Sequence, residues 1–259
     1  MEFKTIRLSL DEGVCTLTLS SPETMNALSS ELIAELAEAI GWIASNQGVR
    51  VLVITGSQKV FAAGGDIKAM VSCNPEQARA YIAPIHQVFN QIANLPIPTI
   101  AAVAGFAFGG GVELSLTCDF RIAAENAKFG FPEINLGIFP AAGGSQRLPR
   151  LIGSNKAKRL MFTGETITAA AALALGLVDQ VAATDDLMEE VKQLAGQLSK
   201  KPPLALMKLK ASIQQGTNTD ISTALIMEMD KCCSLFATLD QKEGMQAFIE
   251  RRGAVFKGE

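Results

Sequence analysis

The chain has 259 residues, 48% hydrophobic and 19% charged, with a formal net charge of −3. That is enough apolar material for a full core in one large domain or two small ones, and the slight acidity gives no electrostatic basis for holding nucleic acid. Five cysteines with no CxxC spacing argue against a disulfide framework or zinc ribbon and fit a reducing cytoplasm, and the one histidine, His86, excludes multi-histidine metal sites.

Residues 5–10 and 14–19 alternate apolar and polar around Asp11-Glu12-Gly13, the pattern of a β-hairpin. Ser29 or Ser30 is placed to cap a helix to about residue 45, with Leu32, Ile33, Leu36, Ala37 and Ile40 on one face. A buried strand is expected over 49–55, a loop over 56–65, and a short helix over 67–70 capped by Asp66. Residues 77–95 form a helical pattern with a kink expected at Pro84. Strands are expected over 98–104 and 120–124, with a buried helix beginning near Val112 between them. Helices over 154–162 and 169–175, the latter capped by Thr168 and closed by Gly176, precede a strand over 178–182. From there on the pattern is helical: 186–199, 203–215, 220–237 and 240–252. The alternation of strand, loop and helix makes the class α/β. The helix over 220–237 is apolar almost all round, which implies burial on several sides, either on its own domain or at a subunit interface. No GxSxG elbow occurs, so a Ser-His-Asp hydrolase is not expected. The N-terminus has no signal-peptide layout, and no apolar run reaches the ~18 residues of a membrane span.

The chemistry concentrates between Ala104 and Gly144. Gly109-Gly110-Gly111 runs into Val112-Glu113-Leu114-Ser115-Leu116. Glycines let a ligand approach the backbone closely, and a helix start leaves N–H groups without internal partners. Glu113 stands there among apolar neighbours, and Glu133 does so in Phe129-Gly130-Phe131-Pro132-Glu133. Each has a plain reading: Glu113 as a complement to the helix dipole, Glu133 as a solvated loop residue. Together, two acids in apolar settings beside free amides suggest acid/base chemistry with an oxyanion to stabilise. The upstream loop Phe61-Ala62-Ala63-Gly64-Gly65-Asp66-Ile67-Lys68 sharpens that reading.

These three motifs, at this spacing, resemble the crotonase (enoyl-CoA hydratase/isomerase) superfamily, and the resemblance covers nearly the whole chain. It implies a spiral of ββα units over 1–200, a helical oligomerisation region over 201–259, and a trimer or a dimer of trimers. It implies a thioester enolate held by the amides of Gly65 and Gly110, with Glu113 activating water and Glu133 exchanging the α-proton. Both acids are present, which favours a hydratase adding water to a 2-enoyl-CoA over an isomerase that uses Glu133 alone. A CoA-thioester-binding scaffold without turnover is the non-enzymatic alternative. Coenzyme A enters as part of the substrate and no separate cofactor or metal is implied. Its contacts are expected along Ala27 and along Ala63, Gly65, Asp66, Ile67 and Lys68, with Gly110, and from Phe256 and Lys257 reaching a neighbouring subunit. Gly65 stands where many relatives carry Ala, Ala141 where many carry Gly, and Glu23 where a basic residue is common.

Overall fold

A computed structural model of the chain describes residues 2–259; Met1, where the reading of the N-terminus begins, lies outside the described residues. The hairpin forms from β1 (Ile6–Asp11) and β2 (Val14–Leu19), antiparallel from Ile6↔Leu19 to Asp11↔Val14. Helix α1 (Ser30–Ser45) follows, its first turn closed by the Ser29 hydroxyl, which accepts from Leu32 N.

Three successive windings then share one plan. A long strand enters a six-stranded sheet, a three-residue strand enters a second sheet, and a helix or turn follows. The first winding is β3 (Val51–Thr55), β4 (Val60–Ala62) and α2 (Ile67–Met70), with α3 (Pro75–Ala93) behind it. The second is β5 (Thr99–Val103), β6 (Phe106–Phe108) and α4 (Gly110–Ser115). The third is β7 (Phe120–Ala124), β8 (Lys128–Gly130) and a 3₁₀ turn, Pro132–Leu136. Helices α5 (Gly144–Ile152) and α6 (Ser154–Thr163), strand β9 (Thr166–Thr168), α7 (Ala169–Leu175), β10 (Gln180–Ala182) and α8 (Leu187–Ser199) complete the core.

The large sheet has the order β1-β2-β3-β5-β7-β10 and the small one β4-β6-β8-β9. From β2 to β10 the large sheet is parallel. Its strands β3 and β5 are buried at every residue because both faces are covered, the second by Leu187, Val191 and Ala195 of α8. In the small sheet β4, β6 and β8 are parallel neighbours. Their C-terminal ends therefore lie side by side, and all three motif loops leave from those ends.

The expected α/β class and spiral of ββα units stand. The sequence reading gave a loop where β4 lies and assigned no element at β6 or β8, because three residues are too few to display a strand's alternation. It also passed over α5, which starts on Gly143-Gly144 and contains Pro149, both poor helix signals. The helix expected to kink at Pro84 continues through it to Ala93.

Helices α9 (Pro203–Gly216), α10 (Ile221–Ser234) and α11 (Leu239–Glu250) form the C-terminal part. Polar ties fasten it to the core. Lys210 Nζ meets Asp119 Oδ2 at 2.8 Å, and Gln214 Nε2 donates to Ala93 O at 2.7 Å. Helix α10 packs against α9 yet has no buried residue, so within one chain it is not enclosed as its all-round apolar sequence would require.

Candidate active site

The α4 segment is buried throughout, and Glu113 within it is only 2% exposed. Its Oε1 accepts from two backbone amides, Ala142 N and Gly144 N, each at 2.7 Å. Burial pushes Glu113 up to about 7; the two amides, and the positive charge of Arg147, pull the other way, while Glu133 adds to the rise. Glu133 sits in the turn after β8, half-buried rather than solvated. Its Oε2 is buried with no hydrogen-bond partner among the described residues, and burial raises its pKa. Gly109 makes room for this acid: its φ is +48°, and a side chain there would run into the Glu133 carboxylate.

The two acids therefore differ. Two like charges in one apolar pocket do not both ionise readily, and the pair titrates as a unit. Glu113 has two amide donors that favour its ionised form. Glu133 has an oxygen that only a proton, water or substrate can satisfy. Burial raises both acids, and the hydrogen bonds separate them: the amide donors favour charge on Glu113 and leave Glu133 an oxygen open to a proton, water or substrate.

Two amides on the same cavity have no hydrogen-bond partner among the described residues. Gly110 is the first residue of α4, so its N–H has no preceding carbonyl to reach. Gly65 forms an isolated parallel bridge with Leu28, in which Leu28 N donates to Gly64 O at 2.8 Å, and the Gly65 N–H makes no backbone bond. Gly65, Gly110, Glu113 and Glu133 all line one cavity of about 70 Å³, with Met70, Ile85 and Phe139 among its apolar walls. Residues whose backbones lie more than sixty positions apart in sequence are thus gathered at the ends of β4, β6 and β8.

The remaining expected contacts divide. Ala27, Ala63, Asp66, Ile67 and Lys68 lie on the two segments flanking Gly65, joined where Ala63 N donates to Met25 O. The Asp66 side chain caps α2 through Ala69 N, and Lys68 is exposed. Phe256 and Lys257 do not join this site within the chain. Lys257 N donates to the buried Asp240, and Phe256 O accepts from Arg50, which ties the tail to α11 and to the core just before β3.

Two contributors carry no motif. The hydroxyl of Tyr81 on α3 donates to Leu28 O at 2.7 Å and accepts from Asp66 N at 2.9 Å, pinning both strands of the Gly65 bridge. It is the only tyrosine in the chain, the single available signal. Arg147 on α5 donates to Ala142 O at 3.2 Å, holding the residue whose amide holds Glu113.

A sequence profile described as enoyl-CoA hydratase/isomerase matches residues 9–259. The chain is 45% identical over 257 residues to the crotonyl-CoA hydratase of Syntrophomonas wolfei, covering 99% of both sequences. It is 41% identical to the short-chain-enoyl-CoA hydratase of Clostridium acetobutylicum, covering 97% of each. The crystal structure of an enoyl-CoA hydratase from Bacillus anthracis superimposes with a TM-score of 0.96 at 40% identity, covering 99% of this chain and all of that one.

Proposed function

This chain belongs to the enoyl-CoA hydratase/isomerase family, and from that premise we propose that it is an enoyl-CoA hydratase, adding water reversibly and syn to a 2-enoyl-CoA to give a 3-hydroxyacyl-CoA. The observation that carries the reading is the pairing of a buried and a half-buried acid with two unpartnered amides around one cavity. In the forward direction Glu113 accepts a proton from water as its hydroxyl oxygen bonds to C3. The C2=C3 π pair moves toward the thioester, whose oxygen takes the negative charge against the amides of Gly65 and Gly110. Glu133 then delivers its proton to C2. The net change in the protein is one proton moved from Glu133 to Glu113, restored through solvent.

The substrates named for the relatives, crotonyl-CoA and short-chain enoyl-CoA, support a short acyl group. Coenzyme A would run along Ala27 and the 63–68 segment, with Lys68 free to meet a phosphate. The reaction draws on no cofactor beyond the coenzyme A of the substrate and belongs to fatty acid metabolism. The expected division into a catalytic core over 1–200 and an assembly region over 201–259 goes with a trimer or hexamer. Exposed Leu225, Ile226, Met229 and Phe248 on α10 and α11 are the surfaces that other copies would cover, and such copies would bring Phe256 and Lys257 within reach of a neighbouring active site. Five free cysteines suit a reducing cytoplasm. Among the described residues no helix is long and apolar enough to cross a membrane.

Absorbance at the enoyl-thioester band tests the reading with crotonyl-CoA and a series of longer and branched 2-enoyl-CoAs. Hydration of crotonyl-CoA, falling as the chain lengthens, is expected. Binding without turnover of any member would favour the scaffold reading, and faster shift of a 3-enoyl-CoA double bond than hydration would favour the isomerase.

A further inference from the structure

Resting on the hydratase reading, we propose that Arg147 is a positioning residue that holds Glu113 in its ionised, water-activating form. The guanidinium lies in a chain of contacts that begins outside the cavity and ends on the carboxylate. Nη2 donates to Asn90 Oδ1 of α3 at 2.7 Å, and Nη1 donates to Ala142 O at 3.2 Å. Ala142 N in turn donates to Glu113 Oε1 at 2.7 Å. One residue thus presents its carbonyl to the cation and its N–H to the anion. Gly143 wraps the guanidinium with φ +108°, and a side chain there would collide with Nη1. Sequence position 143 is therefore closed to other residues while Arg147 keeps this pose.

Arg147 is half-buried and makes no ion pair with any carboxylate among the described residues. Its charge is spent on a carbonyl, an amide oxygen and the field at Glu113. The two groups feel each other in both directions: Arg147 lowers the Glu113 pKa, and Glu113 partly offsets the fall that burial imposes on Arg147. The other groups facing Glu113 are Glu133 from the turn after β8, which opposes ionisation, and Tyr81 from α3, whose hydroxyl is engaged with Leu28 and Asp66. Arg79 and His86 of α3 line an outer cleft with Gln146, and neither borders the Glu113 cavity. Arg147 itself does not border that cavity, so it acts through Ala142 and through its charge rather than on substrate.

The test measures the pH dependence of kcat/KM for crotonyl-CoA in Arg147→Met, Arg147→Gln and Arg147→Lys. A second readout is infrared titration of the Glu113 carboxyl, assigned by its loss in Glu113→Gln, which needs no turnover. Removing the charge should move the acid limb and the carboxyl titration upward by about one pH unit. Hydration should then fall about tenfold near pH 6 and recover in part at high pH. Arg147→Lys keeps the charge and should leave the limb within ~0.3 units, with a lower kcat from the looser loop. Either neutral variant suffices if the other does not fold. An unmoved limb in a neutral variant, even with a uniformly lower rate, would reduce Arg147 to a structural role, and a limb moved as far by Lys as by Met would do the same. Failure of the wild type to hydrate any enoyl-CoA would instead sink the hydratase reading and leave the infrared result to decide this one.

Discussion

The catalytic cavity and the C-terminal helices depart from ordinary burial in opposite senses. At the cavity, charged groups lie where apolar ones are the rule: Glu113 is 2% exposed and Glu133 has a buried oxygen without a partner. In α10 and α11, apolar groups lie where polar ones are the rule: Ile221 and Ile249 are each 72% exposed and Phe248 is 85% exposed. Each is a debt in free energy that a single chain does not settle. They differ in what settles them. The acids need something small, polar and exchangeable, which is water and the reacting thioester. The helices need something large, apolar and permanent, and the proposed trimer or hexamer would supply it as further copies of the chain. A buried polar defect therefore reads as chemistry, and an exposed apolar one reads as assembly.

The comparison breaks most sharply at the oxyanion amides. Gly110→Pro deletes one N–H and should lower kcat by ~10²–10³ in a folded protein, with the same product formed. Near-normal turnover would remove this amide from the mechanism, and with it the reason for the unpartnered glycines on the cavity of the two acids.

On the assembly side, light scattering of the wild type should give three or six times the 27.5 kDa chain mass. Leu225→Asp together with Ile226→Asp places charge on exposed α10 positions and should yield smaller species. A monomeric wild type at micromolar concentration would contradict the account and leave α10 without a partner.

The smallest effect is on stability. Glu113 rises from 4.5 to about 7 on folding, so the folded chain binds its proton more tightly than the unfolded one. The resulting stability is complete below the unfolded value and is lost as pH rises through the folded one. Above that the cost levels off at roughly 3 kcal/mol. Glu113→Gln cannot ionise and should gain on the wild type by roughly 5 °C in Tm between pH 5 and pH 8. A difference independent of pH would show that Glu113 is not carrying a buried charge.

Much of this was legible in the sequence because it is local. The Ser29, Asp66 and Thr168 caps announce their helices within three residues, and each accepts from an amide of its helix's first turn. The glycine triplet and Glu113 are contiguous, so their juxtaposition is set by the chain itself. The burial of Glu133 was less legible, because it depends on Gly109 yielding space at the start of α4, in a different winding. The reach of Tyr81 to Leu28 spans 53 positions and that of Arg147 to Asn90 spans 57, and both Tyr81 and Arg147 are ordinary helix residues in sequence. No short pattern marks such contacts. The resemblance supplied the roles of Gly65 and Gly110, and it could not supply the residues that hold them.

The central claim is that the two acids have unequal tasks, and paired rates in Glu113→Gln and Glu133→Gln test it most directly. Hydration of crotonyl-CoA is followed by absorbance, and exchange of the thioester α-proton with deuterated solvent by mass spectrometry. Glu113→Gln should lose ~10²–10⁴ in hydration, since the amide cannot take the proton of water, while exchange persists in part through Glu133 and the amides of Gly65 and Gly110. Glu133→Gln should depress both rates together. Hydration at close to the wild-type rate in Glu113→Gln would contradict the two-acid mechanism and put the single-acid isomerase in its place.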